Sequence, residues 1–137
     1  MPYVLSFTKQ VDVTDPDQYI NTCCYGGDIV SDRLLPSIRK RYEAIQANQE
    51  DWGWFIWFRS GAVRLAVDIF CDDPGVGAFR MHLTSRTPRF LLGDSVIDTP
   101  DLQDVKQLVS DEITNWVGSR PKCEPVDADY LPRSGAA

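Results

Sequence analysis

Between Asp51 and Ser85, hydrophobic and polar positions alternate along three successive runs. Side chains of a strand point to opposite faces in turn, so each run separates into two rows. One row of each is wholly apolar. It comprises Trp52, Trp54, Ile56 and Phe58 in the first run, Val63, Leu65, Val67, Ile69 and Cys71 in the second, and Phe79, Met81 and Leu83 in the third. Such a pattern predicts an antiparallel meander with one face on the core. Ser60-Gly61, between Arg59 and Ala62, fits a two-residue hairpin turn in which Gly supplies a positive φ. This turn sets Phe58 opposite Val63, Ile56 opposite Leu65, Trp54 opposite Val67 and Trp52 opposite Ile69. If Ile69 pairs with Phe79 across the 72–77 connection, Asp68 faces Arg80, Ala66 faces His82, and Asp68 is diagonal to His82.

The flanks add a strand and two principal helices. Tyr3, Leu5 and Phe7 alternate with Val4, Ser6 and Thr8, which predicts a strand that pairs with an edge of the meander. Thr14-Asp15-Pro16-Asp17 has the capping residue, proline and early acid of a helix start, so a short helix is expected over 16–25, stopped by Gly26-Gly27. Leu34, Leu35, Ile38, Tyr42 and Ile45 form a helical stripe within 28–48. Pro36 implies that this helix begins near Leu35 or follows a separate turn. Arg39-Lys40-Arg41 reads as a solvated helix face or a small basic patch. A bend at Pro88 and a short strand over 89–92 follow the meander, with a turn at Gly93-Asp94.

Asp98-Thr99-Pro100-Asp101 opens the second helix, Leu102, Val105, Leu108, Val109, Ile113, Trp116 and Val117 form its apolar stripe, and Gly118 ends it. The expected architecture is α+β. A mainly antiparallel sheet of four to five strands, the N-terminal strand plus the central meander, carries two principal helices packed on one face, with Trp52 and Trp54 turned toward them. Residues 1–118 form one domain, and residues 119–137 an extended, partly disordered arm that Val126, Tyr130 and Leu131 could anchor.

Composition narrows the function classes. The 137 residues are 43% hydrophobic and 25% charged, as in an ordinary globular domain. The formal net charge of -6 speaks against general nucleic-acid binding, which calls for a basic surface. No apolar run has the length of a membrane span, and Met1 to Phe7 has no signal-peptide pattern. Cys23, Cys24, Cys71 and Cys123 are irregularly spaced and read as reduced thiols, which places the chain in the cytoplasm.

The chemistry that remains is on the second face of the meander. Its rows mix Phe55, Trp57 and Arg59 with Arg64, Ala66, Asp68 and Phe70, and with Arg80, His82 and Thr84. Phe55, Trp57, Arg64, Asp68, Arg80 and His82 are the candidate binding face, rich in the residue types of binding hot spots. The competing reading is that another part of the chain covers these aromatics. His82 is the one histidine, so two-histidine acid–base chemistry is excluded, and neither Ser85 nor Cys71 has the context of a nucleophile. The cysteines lack metal-ligand spacing, and Gly75-Val76-Gly77 joins two strands rather than opening a helix as a phosphate loop does. Arg80, Arg86 and Arg89 could cluster at one end of the third strand and grip a carboxylate or phosphate, with surface salt bridges as the alternative.

No catalytic residue, metal ligand or cofactor is assigned. The first reading is a non-catalytic protein-binding module that presents the mixed face to another protein or to a second copy of itself. In general character the chain resembles immunity proteins that neutralise bacterial toxins and other small inhibitors, an analogy of type rather than of motif. The alternative is a small-molecule-binding protein or enzyme with a pocket around His82 and Asp68. There Asp68 would orient His82 as general base, with Arg64 and Arg80 as further polar groups.

Overall fold

The computed structural model describes residues 2–13, 15–89 and 93–126, with residues 88, 89 and 93–97 described by their backbone. Its strands are β1 (Tyr3–Thr8), β2 (Glu43–Glu50), β3 (Gly53–Ser60), β4 (Val63–Asp73), β5 (Ala78–Arg89), β6 (Gly93–Ile97) and β7 (Lys122–Pro125). Two helices, α1 (Gly27–Arg41) and α2 (Pro100–Val117), complete the fold. Six strands pair in the order β2-β3-β4-β5-β1-β7, all antiparallel. The seventh, β6, continues the edge of β5 that β1 leaves free: β1 pairs Ala78 to Leu83, and β6 pairs Ser85 to Arg89. The long β5 thus carries two partners end to end on one side.

Both helices pack on the apolar face. Val30, Leu34, Leu35 and Ile38 of α1 and Leu102, Val105, Leu108, Val109 and Ile113 of α2 join Leu5, Ile56, Val67, Ile69, Met81 and Leu83 in one core. Burial of each such side chain contributes about 1.5–3 kcal/mol. Thr99 caps α2 by accepting from the Leu102 N–H, and Gly118 closes it in the left-handed conformation, as the sequence indicates. No described helix is long and apolar enough to cross a membrane.

Both meander registers differ from expectation by two residues. Trp54 faces Ile69, Ile56 faces Val67, Phe58 faces Leu65 and Ser60 faces Val63. Gly61-Ala62 is therefore the hairpin loop. Gly61 supplies the positive φ at its first position (59°), as a type II′ turn requires. Likewise Ile69 faces Met81, and Asp68 faces His82 directly rather than Arg80. A two-residue shift returns every side chain to its own face, so apolar rows still meet apolar rows and the pattern alone does not separate the two registers.

Trp52 departs from its row. The strand starts at Gly53, whose φ is 155° and where an added Cβ would lie 2.1 Å from the Ile69 carbonyl oxygen. Glycine breaks the alternation there, and Trp52 lies against Phe70 (5.1 Å between centroids) on the mixed face. Trp54 does face the helical layer, with its indole donating to the Cys24 carbonyl at 2.9 Å.

The sheet is larger than four to five strands because β2 and β7 were hidden. The helix expected within 28–48 ends at Arg41, and Tyr42 is already extended. Arg39, Lys40 and Arg41 are exposed in the last turn, where positive charge suits the helix dipole. Helix α1 runs through Pro36. The buried Leu34, Leu35 and Ile38 hold the helix across the missing N–H. The helix expected over 16–25 is instead two 3-10 turns, Pro16–Gln18 and Thr22–Cys24. Asn21 caps the second turn, and the Gln49 side chain pins the Ile20 N–H and the Gln18 carbonyl between them. Of the stretch expected to be an arm, Lys122–Pro125 pairs with β1. Tyr130 and Leu131, and most of the strand expected over 89–92, lie outside the described residues.

Candidate functional site

The mixed face carries no described helix, and cross-strand pairing orders its side chains into rows. Phe55, Asp68 and His82 form one row, Trp57, Ala66 and Thr84 the next, and Arg59, Arg64 and Arg86 the third. Phe70 and Arg80 form a fourth on the far side. Phe55 and Trp57 stack at 4.1 Å. Phe55 is buried, whereas Trp57 is 43% exposed, the most exposed tryptophan or phenylalanine of the described chain. The Trp57 indole N–H donates to Asp68 Oδ1 at 3.1 Å. A large apolar ring is thus fixed at the surface by a stacking partner beneath and a carboxylate beside it.

Asp68 and His82 stand opposite each other without acting as a pair. Burial pushes the Asp68 carboxyl above its ordinary range, against the Trp57 hydrogen bond and the nearby charge of Arg86, which hold it down. His82 is 7% exposed, and its Nε2 accepts from Arg80 Nη1 at 2.6 Å. Burial, reinforced by the Arg80 charge, lowers its pKa to about 4. The imidazole is therefore neutral near pH 7, and its Nε2 lone pair is occupied. A general base needs that lone pair free to receive a proton. Arg80 is held in turn by Asp72, through Nε at 3.0 Å and Nη2 at 3.1 Å, and lies 4.4 Å from the centre of the Phe70 ring.

At the other end of the face a half-open cavity of about 500 Å³ is lined by Trp57, Arg59, Arg64, Ala66, Asp68 and Arg86, with Ala44 and Gln46 on its rim. The rim follows from a β-bulge: Ala44 and Ile45 together span the position opposite Phe58, and Ala44 takes a φ of 55°. For a residue other than glycine this conformation costs roughly 1–2 kcal/mol. The bulge turns the β2 edge beside the arginine row. Among the described residues, no three His, Cys, Asp or Glu side chains converge as metal ligands would. All four cysteines are free, and burial pushes the Cys71 thiol up to about 11, which leaves it unreactive.

Of the six residues expected on the binding face, Phe55, Trp57, Arg64 and Asp68 fall beside or along one cavity, while Arg80 and His82 form a separate, internally bonded group. Arg80 and Arg86 do not cluster: they sit six positions apart on β5. The Arg89 side chain lies outside the described residues. Arg59 and Arg86 join Arg64 instead. The observed registers reveal that row: the Gly61-Ala62 turn sets Arg59 against Arg64, and the separate β4–β5 pairing sets Arg64 against Arg86. Comparison of the chain with protein-family models, with curated proteins and with solved structures finds no match to any of them.

Proposed function

We propose that the protein is a non-catalytic, cytoplasmic protein-binding module that engages a partner protein through the mixed face of its sheet. The observation that carries this reading is Trp57: a large aromatic held in one orientation by Phe55 and Asp68, 43% exposed, beside arginines. Tryptophan and arginine dominate binding hot spots, and a ring already immobilised loses little entropy on binding. The free thiols fit a protein of a reducing compartment. A pocket enzyme built on His82 and Asp68 has less support, because His82 is bonded to Arg80 and Asp68 to Trp57.

The test is a photo-crosslinking residue at position 57, with a second at Ile20, another exposed apolar position, as reference. Irradiation in cells is expected to give a discrete adduct with a different protein from position 57 and not from position 20. An adduct of twice the chain mass would mean self-association through this face. A discrete adduct from position 20 alone would overturn the proposal.

A further inference from the structure

The arginine row is the least expected feature of the mixed face. Arg59 is the cross-strand partner of Arg64, and Arg64 that of Arg86, so three adjacent strands present the same charge at one level. Neighbouring strands lie about 4.8 Å apart, which confines the three stems to a line roughly 10 Å long. Like charges directly opposite one another oppose sheet formation. All three residues are exposed, so no packing requirement selects arginine there, and the rest of the chain is acidic enough to give a net charge of -6.

The described residues offset the row only in part: Asp68, which lines the same cavity, is influenced by the Arg86 charge, and Glu43 stands across the strand from Arg59. Neither Arg59 nor Arg86 has an ion pair among the described residues, and Glu43, the β2 partner of Arg59, forms none with it. Arg64 has an interaction of its own, which leaves Arg59 and Arg86 on either side of it as the charges in question. Both line the same half-open cavity as the exposed indole of Trp57. A charged row with an aromatic wall selects a ligand that is both acidic and apolar. Arginine forks take carboxylates in pairs of parallel hydrogen bonds, and Trp57 offers the neighbouring apolar contact.

We infer that Arg59 and Arg86, with Trp57 between them and the centre of the face, dock an acidic segment of a partner protein whose carboxylates they receive. This rests on the protein-binding reading of the same face and specifies its partner. A polyanion such as nucleic acid is disfavoured, since its charge extends beyond one row onto a net-acidic protein. The spacing of the row, about 4.8 Å per step, lies close to the 5–6 Å between side chains three or four positions apart on a helix.

The probe is a fluorescein-labelled amphipathic peptide with glutamates at every third or fourth position and leucines beside them, titrated into the full chain and followed by anisotropy. Binding is expected to weaken with salt, to fall about tenfold in the Arg59→Gln/Arg86→Gln double variant, and to tighten in Glu43→Gln. It is expected to stay unchanged in Arg39→Gln/Lys40→Gln, which alters the exposed basic end of α1. No binding, or equal loss in the α1 variant, would overturn the inference, as would tighter binding of heparin than of the peptide. The double variant must melt at or above the wild-type temperature, because it removes repulsion. A fall would assign the row to structure instead. If the position-57 adduct persists while the peptide fails to bind, only the acidic-partner inference falls; if the adduct is also missing, the protein-binding reading falls with it.

Discussion

Arg80 and Arg86 leave the same face of the same strand, and their surroundings differ in kind. Arg80 is gripped twice by Asp72, lies over Phe70 and donates to the buried His82. Arg86 is exposed, stands opposite Arg64, and has no ion pair among the described residues. Six residues of strand separate them by about 20 Å. One charge is part of how the sheet holds its own surface; the other faces outward in a row of like charge. The comparison separates side chains that serve the fold from side chains the fold tolerates, on a face whose composition alone makes them look alike.

The largest expected effect belongs to the Arg80 end and is read by pH. An unfolded histidine titrates near 6.5, whereas His82 in the fold titrates near 4. Between those values the unfolded chain binds the proton and the folded chain does not, so stability is lost as pH falls through the window. The shift corresponds to about 3 kcal/mol once the window has been crossed. Asp68 works the other way, since its raised pKa favours the fold as pH falls. His82→Gln keeps an acceptor for Arg80 but cannot titrate. Urea midpoints at neutral pH and at the lower edge of the window should therefore diverge more for the wild type than for this variant. Equal pH dependence in the two proteins would mean that His82 is not the buried neutral group described here.

Next in size is Arg80→Ala. It removes the Asp72 fork, the Phe70 contact and the donor to a buried imidazole nitrogen. The exposed ion pair by itself is worth little, about 0–1 kcal/mol. Withdrawing a partner from a buried polar atom costs about 1–3 kcal/mol, so the imidazole dominates and a loss of roughly 2 kcal/mol is expected by chemical denaturation. A loss under half that size would make Arg80 a surface residue like Arg86 and would dissolve the contrast.

What the sequence revealed depended on how locally each feature is encoded. The apolar rows of the meander, the Thr99 cap and the Gly118 stop are written in neighbouring residues, and the structure follows them except at Trp52, where Gly53 breaks the alternation. The strand from Glu43 to Glu50 is not, because its residues are mostly polar and exposed, and Tyr42 and Ile45 happen to extend the helical stripe. A β-bulge at Ala44 re-registers this strand, and only the pairing with β3 shows it. The strand from Lys122 to Pro125 is likewise made by its partner, through its pairing with β1. The composition of the mixed face was legible; its division into two ends was not. That division rests on a two-residue register shift, which leaves every face unchanged while replacing Arg80 with His82 opposite Asp68 and aligning Arg86 with Arg64.

The smallest effect is the most discriminating, because its sign differs from that of Arg80. Cross-strand charge pairs contribute roughly 0.2–1 kcal/mol in either direction. Arg86→Gln should therefore raise the unfolding free energy by a few tenths of a kcal/mol at low salt, and the gain should fade as salt screens the row. Arg59→Gln should behave in the same way but more weakly, since Glu43 across the strand offsets part of the repulsion. Thermal melts of wild type, each single variant and the double variant across a salt series give both the sign and the coupling between positions. If both substitutions destabilise, and do so equally at high salt, the guanidinium stems are packing elements and the row belongs with Arg80. If both stabilise and the effect vanishes with salt, the fold carries Arg59 and Arg86 at a cost it could have avoided. The reason for keeping them then lies in what they meet outside the molecule.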